Sequence, residues 1–272
     1  MPVPARSAAF FDLDKTIIAR SSTFAFSRPF YAGGLITRSA VLKSAYAHFV
    51  YLVGGADHEQ MERMRAYLSR LVAGWDVQQV RGIVTQTLEQ LIQPVVYHEA
   101  TALIAEHHAA GREVVIVSSS GAELVEPIGA MLGADRVIAT RMVVQEGRYT
   151  GEIEFYAYGE NKAAAIRELA AERGYDLADC HAYSDSFTDL PMLSAVGHPT
   201  AVNPDRALRR EAQLRQWPTV DFSQPVRLRS RMAERVQNVP APTPPVLAVA
   251  LGAGALTGGL IWYAARRKDR PA

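Results

Sequence analysis

Two aspartates, Asp12 and Asp14, follow a short apolar run near the start of the chain. The run Ala8-Ala9-Phe10-Phe11 is typical of a buried strand, and the two-residue period of a strand directs both carboxyls to the same side. Two carboxylates at the end of a buried strand are costly unless they share a cation or a proton. The pair therefore predicts a chemical role, although acidic residues also end strands where no chemistry takes place.

Two more polar residues stand at the ends of predicted strands. Ser118 follows the apolar run Val114-Val115-Ile116-Val117, and Asp185 closes the run that begins at Cys180. Strands alternate with helices over this part of the chain, which predicts a mostly parallel sheet covered on both faces. Because ligands bind at the carboxyl ends of the strands in such sheets, Asp12, Ser118 and Asp185 are expected to meet at one edge.

These residue types suit the cleavage of a phosphate ester. A carboxylate such as Asp12 can attack phosphorus, and Asp12 with Asp185 offers the oxygen ligands that Mg²⁺ prefers. Ser118 can donate a hydrogen bond to a phosphoryl oxygen, while Lys162 offsets its charge. Asp14 can give a proton to the departing oxygen and later take one from the attacking water.

In their order along the chain, these residues resemble the haloacid dehalogenase-like phosphatases, and among them the IB group that includes the phosphoserine phosphatases. The resemblance is carried by four motifs: Phe11-Asp12-Leu13-Asp14-Lys15-Thr16, then Ser118, then Lys162, then Ser184-Asp185-Ser186-Phe187-Thr188-Asp189. It implies a Rossmann-like sheet and a phosphatase that works through an aspartyl-phosphate. The roles that it implies are catalysis by Asp12 and Asp14, phosphate binding by Ser118, Ser119 and Lys162, Mg²⁺ binding by Asp12, Asp185 and the carbonyl of Asp14, and support of the metal site by Asp189.

The chain departs from the phosphoserine phosphatases at two positions. Ser21 stands where those enzymes have a glutamate that reads the amino group of the substrate. Their second motif is usually Ser-Gly-Gly, whereas this chain has Ser118-Ser119-Ser120. The departures bear on the choice of substrate and leave the phosphoryl chemistry unchanged.

The domain organisation follows from a change of periodicity. Residues 18–95 carry helical spacing throughout, with an expected cap of the last helix at Asp76, and they predict an all-helical cap of the C1 type inserted after the first strand. Residues 1–17 and 96–222 are expected to form the α/β core. Within the core, Glu146-Gly147 predicts the turn of a β-hairpin.

Beyond the core, the composition changes. Residues 223–245 are basic and proline-rich, which predicts a stiff linker. Residues 246–265 have no charged side chain and end near Trp262 and Tyr263, so we expect a transmembrane helix there, with 266–272 as a basic tail. The expected location is therefore membrane-anchored by a single C-terminal helix, with the catalytic domain in the cytoplasm.

Composition narrows the function further. The net charge of +1 provides no field for a polyanion, so nucleic acid is not an expected partner, and the single Cys180 gives no disulfide and no cysteine metal site. We expect a Mg²⁺-dependent phosphomonoester hydrolase acting on a small-molecule or lipid phosphomonoester. Three alternatives stay open: a phosphoserine phosphatase, a phosphotransferase or phosphomutase, and a non-catalytic membrane-associated binding module.

Overall fold

The computed structural model describes residues 6–36, 66 and 69–223, and the structural statements below concern those residues. The chain divides into two units, Met1–Val226 and Arg227–Ala272, of which the first holds all the described residues.

The described residues form a sheet of seven strands. The strands are β1 (Ala8–Phe11), β2 (Glu113–Gly121), β3 (Arg136–Gln145), β4 (Arg148–Phe155), β5 (His181–Ser184), β6 (His198–Val202) and β7 (Thr219–Val220). Their order across the sheet is β4-β3-β2-β1-β5-β6-β7. Every neighbouring pair is parallel except the β3–β4 hairpin, which confirms the prediction of a mostly parallel sheet.

Helices cover both faces of the sheet. They are α1 (Ser22–Ala25), α2 (Ser27–Ala32), α3 (Val77–Leu91), α4 (His98–Ala109), α5 (Ala122–Leu132), α6 (Glu160–Arg173), α7 (Leu190–Ser194) and α8 (Arg206–Arg215). Short 3₁₀ helices occupy Gln93–Val95, Leu177–Asp179 and Phe187–Asp189. Successive strand residues alternate between the faces, so Phe11 packs with α3, α4 and α5, while Phe10 packs with α6, α7 and α8.

The described part of the predicted cap holds α1, α2 and α3. Asp76 accepts a hydrogen bond from the backbone N–H of Gln79 at 3.0 Å, which confirms the predicted N-cap of α3. Residues 37–65, 67 and 68 of the predicted cap lie outside the described residues.

The β3–β4 hairpin holds the start of α3 through its backbone. Glu146 and Gly147 both have positive φ, as a two-residue hairpin turn requires, which confirms the predicted turn. Tyr149 makes backbone hydrogen bonds to two consecutive residues of the cap. Its carbonyl accepts from Gly74 N–H at 2.8 Å, and its own N–H donates to the Trp75 carbonyl at 3.1 Å. The hairpin therefore positions the C-terminal part of the cap against the core.

The membrane anchor is corrected. The prediction of a transmembrane helix at 246–265, and of a membrane-anchored location with it, is not borne out: no helix in the described part of the chain is long and apolar enough to cross a membrane. The longest described helix, α3, has 15 residues, or roughly 22 Å at 1.5 Å per residue, whereas a bilayer core is about 30 Å thick. Residues 246–265 themselves lie outside the described residues.

Candidate active site

The predicted site residues stand at one edge of three neighbouring strands. Asp12 directly follows β1, Ser118 lies near the carboxyl end of β2, and Asp185 directly follows β5. The strands β2, β1 and β5 are adjacent in the sheet and run parallel, so their carboxyl ends share an edge. The sheet topology therefore brings together residues that are far apart in sequence, as the sequence predicted.

Lys162 connects two of the carboxylates. It lies in the first turn of α6, and its Nζ donates to Asp12 Oδ1 at 2.7 Å and to Asp189 Oδ2 at 2.8 Å. Asp189 Oδ2 also accepts from the Ser184 hydroxyl at 2.7 Å. The Lys162, Asp12 and Asp189 side chains are all buried, so this ion group is held in a medium of low dielectric constant.

The carboxyls at this edge carry more negative charge than the protein neutralises. Burial raises the pKa of Asp12 to about 7, even though the positive charge of Lys162 lowers it. Burial also raises the pKa of Asp185 to about 8, and the negative charge of Asp12 raises it further. Each of these carboxylates is therefore stabilised by a proton or by an additional cation.

Asp14 is the half-buried member of the group and has two hydrogen-bond partners. Its Oδ1 accepts from the backbone N–H of Ser22 at 2.7 Å, and its Oδ2 accepts from the Ser120 hydroxyl at 3.2 Å. Burial raises the pKa of Asp14, and the hydrogen bonds from Ser22 and Ser120 partly offset that rise. A raised pKa is what a carboxyl needs in order to hold a proton that it later donates.

A β-bulge shapes the serine motif at the end of β2. Ser118 pairs with Ala139, but the next paired residue is Gly121, so Ser119 and Ser120 are displaced from the regular ladder. Ser118 is buried, whereas Ser119 is exposed and its carbonyl accepts a 2.7 Å hydrogen bond from the Thr140 hydroxyl. The structure thus places Ser118 inside the edge and turns the Ser119 side chain outward.

Magnesium fits the donor set at this edge. No group of three or more histidine, cysteine or acidic side chains in the described residues is arranged to hold a metal ion. Two carboxylates and a main-chain carbonyl suit Mg²⁺ nonetheless, because Mg²⁺ usually keeps several waters and substrate oxygens among its ligands. A divalent cation beside Asp12 and Asp185 would supply the positive charge that their raised pKa values indicate is missing.

Four residues to which the sequence analysis gave no individual role take part in the site. Ser22 and Ser120 bind Asp14, and Ser184 binds Asp189. Asp205 N–H donates to the Asp185 carbonyl at 2.8 Å, and the Asp205 carboxylate accepts from Phe187 N–H at 2.9 Å. Asp205 therefore fixes the loop that carries Asp185, a role that its position as the N-cap of α8 did not indicate.

Comparisons with known proteins agree with the motifs. A family model described as haloacid dehalogenase-like hydrolase matches residues 9–194. The chain is 66% identical over 265 residues to the "Inhibition of morphological differentiation protein" of Streptomyces azureus, with 97% of this chain and 95% of that protein covered. It is 58% identical over 266 residues to a probable phosphatase of Mycobacterium tuberculosis, with 97% and 90% covered. A phosphoserine phosphatase of the same organism is 31% identical over 271 residues, with 99% and 83% covered.

Solved structures share the fold. A protein of unknown function from Bordetella pertussis Tohama I superimposes with a TM-score of 0.70 at 28% identity, covering 80% of this chain and 99% of that one. A phosphoserine phosphatase in the form of an analogue of its phospho-aspartyl intermediate superimposes with a TM-score of 0.58 at 18% identity, covering 87% and 100%. The resemblance predicted from the motifs is confirmed.

Proposed function

The chain belongs to the haloacid dehalogenase-like hydrolases and is a phosphatase, and from that premise we propose that it hydrolyses small-molecule phosphomonoesters with Mg²⁺ through an aspartyl-phosphate at Asp12. One observation carries the proposal: Lys162 Nζ lies 2.7 Å from Asp12 Oδ1 inside the protein, and the charge of Asp12 also acts on a further buried carboxyl, that of Asp185. A purely structural ion pair has no need of that extra carboxyl, which adds unfavourable charge.

The first half-reaction forms the phosphoenzyme. A carboxylate oxygen of Asp12 attacks phosphorus, the bond from phosphorus to the ester oxygen breaks, and Asp14 gives its proton to that oxygen so that a neutral alcohol leaves. Ser118, the backbone N–H of Ser119 and Lys162 bind the phosphoryl oxygens, and the ammonium of Lys162 offsets their charge. Because Lys162 Nζ is held by two buried carboxylates, its charge is fixed in place before the substrate arrives.

The second half-reaction releases phosphate. Asp14, now without its proton, accepts one from a water molecule as that water attacks the phosphorus. The bond between phosphorus and the Asp12 oxygen breaks, which returns the Asp12 carboxylate and leaves Asp14 protonated for the next cycle. The raised pKa of Asp14 supports this alternation, since a carboxyl with an ordinary pKa stays ionised near neutral pH.

Asp12, Asp185 and the main-chain carbonyl of Asp14 would hold the Mg²⁺. When bound there, the ion neutralises the negative charge of the phosphoryl group. Asp189 supports this arrangement by binding Lys162 at 2.8 Å, so that the ammonium remains beside Asp12.

The substrate is proposed to be a small phosphomonoester without a required amino group. Ser21 is neutral and replaces the glutamate that reads an ammonium group in phosphoserine phosphatases, so no carboxylate is available at that position. The 31% identical phosphoserine phosphatase makes phosphoserine the reference against which other esters are compared.

The test uses the full chain and an aryl phosphate. We expect phosphate release that requires Mg²⁺ and stops with EDTA, is lost in Asp12→Asn, and is retained in the control Asp179→Asn, whose carboxyl is exposed. A panel of alkyl phosphates, sugar phosphates and phosphoserine then ranks substrates, and an added acceptor alcohol detects phosphotransfer. Full activity of Asp12→Asn, or activity that EDTA leaves unchanged, would overturn the proposal.

A further inference from the structure

The third serine of the Ser118-Ser119-Ser120 motif contacts the carboxyl of Asp14. Ser120 Oγ lies 3.2 Å from Asp14 Oδ2, 2.9 Å from Ser22 Oγ and 3.2 Å from Thr23 Oγ1. Ser22 and Ser120 are buried. Ser22 also donates its backbone N–H to the other oxygen, Asp14 Oδ1, at 2.7 Å. Both oxygens of the Asp14 carboxyl therefore have a partner, and the two partners contact each other.

The backbone of β2 is shaped to aim Ser120 at Asp14. Because the bulge between Ser118 and Gly121 interrupts the ladder, Ser119 faces outward and Ser120 faces the site. Thr140 donates to the Ser119 carbonyl at 2.7 Å and accepts from Ala157 N–H at 3.2 Å, which fixes the outer side of the bulge. Ser120 N–H donates to Ser118 Oγ at 3.2 Å, which fixes the inner side. Ser22, Thr23 and Ser118 contact Ser120 directly. The position of the Ser120 hydroxyl is thus determined by residues other than Asp14.

The two partners of Asp14 differ in what they can do. The N–H of Ser22 is a donor only, so it holds an oxygen that carries no proton. The hydroxyl of Ser120 can donate or accept. It donates to Asp14 Oδ2 when the carboxyl is ionised, and it can accept from Oδ2 when the carboxyl holds its proton there. In the second case its own hydrogen turns to the oxygen of Ser22 or Thr23, both of which are within hydrogen-bond distance.

We propose that Ser120 is a positioning residue which, together with Ser22, holds the Asp14 carboxyl in one orientation through both half-reactions. This inference rests on the proposed function, in which Asp14 donates and then accepts the proton. It also assigns a role to the replacement of the usual glycine at the third position of the motif, since a glycine provides no hydroxyl for Asp14.

The variants Ser120→Gly and Ser120→Ala test the inference, with Ser120→Thr as the form that keeps the hydroxyl. Glycine is the residue that related phosphatases usually carry here, so Ser120→Gly is expected to fold. It keeps the test decisive if the buried methyl group of Ser120→Ala disturbs the site. Ser194→Ala serves as a control, because its hydroxyl bonds to the exposed Arg215 at 3.1 Å, away from Asp14. Each variant is assayed with p-nitrophenyl phosphate, whose leaving group needs no proton, and with an alkyl phosphate, whose leaving group does.

Loss of the hydroxyl should slow phosphoenzyme formation from the alkyl phosphate by about tenfold or more and leave phosphoenzyme formation from p-nitrophenyl phosphate within about twofold of wild type. Breakdown of the phosphoenzyme should also slow, so that it accumulates, and Ser120→Thr should restore the alkyl rate. Equal losses in the rate of phosphoenzyme formation from the two substrates would overturn the inference, because a general structural defect or a lost phosphate contact has that effect. Unchanged rates with both substrates would overturn it too.

The failure of this inference is distinguishable from failure of the proposed function. If Asp12→Asn is inactive and Asp14→Asn loses alkyl phosphates selectively, while Ser120→Gly and Ser120→Ala behave as wild type, only the role of Ser120 is wrong. If Asp12→Asn retains activity, the proposed function itself is wrong.

Discussion

Lys162 Nζ lies 2.7 Å from Asp12 Oδ1 and 2.8 Å from Asp189 Oδ2, and all three side chains are buried. One ammonium therefore stabilises two carboxylates in the protein interior. The charges of Asp12 and Asp189 raise the pKa of Lys162, so it remains an ammonium despite its burial. Both the stability of the fold and the chemistry proposed for the site depend on this group.

Removing the ammonium should affect stability and activity together. Lys162→Met leaves Asp12 and Asp189 buried without their cation, which typically costs about 3–5 kcal/mol of unfolding free energy. Phosphatase activity should fall by about 100-fold or more, since a fixed charge at the phosphoryl group is lost. Urea denaturation and steady-state kinetics measure the two effects.

The matched control for Lys162→Met is Arg209→Ala. Arg209 pairs with Asp221 at 3.3 Å on the surface, where such a pair contributes about 1 kcal/mol or less. A Lys162→Met protein as stable as the Arg209→Ala protein would show that the Lys162 ammonium does not stabilise the buried carboxylates of Asp12 and Asp189.

Stabilisation by Mg²⁺ should increase with pH. The folded protein without metal holds protons on Asp12, with a pKa of about 7, and on Asp185, with a pKa of about 8, whereas the unfolded chain releases them near 3.8. The stability that these protons contribute is complete below about pH 4 and is lost as the pH rises through about 7 to 8. Mg²⁺ competes with the same protons, so it should stabilise weakly near the low end of this window and strongly at the high end.

Thermal melting measures this effect. At a Mg²⁺ concentration of about one hundred times Kd, the gain near the upper end of the window should approach roughly 2.7 kcal/mol, or about 5–10 °C in Tm. The effect should nearly vanish at the acid end, and Asp185→Asn should remove it at every pH. An equal rise in Tm on adding Mg²⁺ at both ends of the pH window would contradict the assignment of Asp12 and Asp185 as metal ligands.

Gly151 determines how closely the hairpin approaches the cap. Its φ is +90°, and a Cβ there would lie 3.0 Å from Ala73 Cβ and 3.3 Å from the Ser69 carbonyl. Gly151→Ala should therefore cost about 1–3 kcal/mol of unfolding free energy, because strained backbone and a close contact are combined. Chemical denaturation measures the loss.

Gly82 is the internal control for Gly151, because it lies inside α3 and a Cβ there would meet nothing within 4 Å. Gly82→Ala should stabilise the protein by about 0.5–1 kcal/mol through helix propensity. The two substitutions are therefore expected to change the free energy of unfolding in opposite directions. A neutral Gly151→Ala would mean that the hairpin does not hold the cap as closely as described.

Local sequence patterns predicted most of the elements that position the site. The apolar run before Asp12 is β1, the Asp76 side chain caps α3, and Glu146-Gly147 turns the hairpin. Each of these features is decided by residues close together in sequence: strand burial, a capping side chain, or a turn that needs positive φ.

Features that depend on distant residues were not predicted. β3 is continuous from Arg136 to Gln145 because it pairs first with β2 and then with β4. The two-residue strand β7 has no pattern of its own and exists through its pairing with β6. His107 lies near the end of α4 and is buried, with Nε2 2.8 Å from the hydroxyl of Tyr183 in β5, and burial lowers its pKa to about 4.

The contact between Ser120 and Asp14 was missed for the same reason. The sequence predicts a regular strand that ends at Ser118, whereas the bulge that turns Ser120 inward is fixed by Thr140, from the neighbouring strand. The site residues could be named from sequence because their types suit the chemistry. Their mutual contacts needed the fold.

The covalent intermediate at Asp12 is the most direct test of the proposed mechanism. The full-length protein is mixed with Mg²⁺ and p-nitrophenyl phosphate, quenched in acid during turnover, digested and analysed by mass spectrometry. We expect one added phosphoryl group on the peptide that contains Asp12, no such adduct in Asp12→Asn, and more of it in Asp14→Asn, where breakdown is slowed. Steady turnover with no phosphoryl group on that peptide in either wild type or Asp14→Asn would contradict the mechanism.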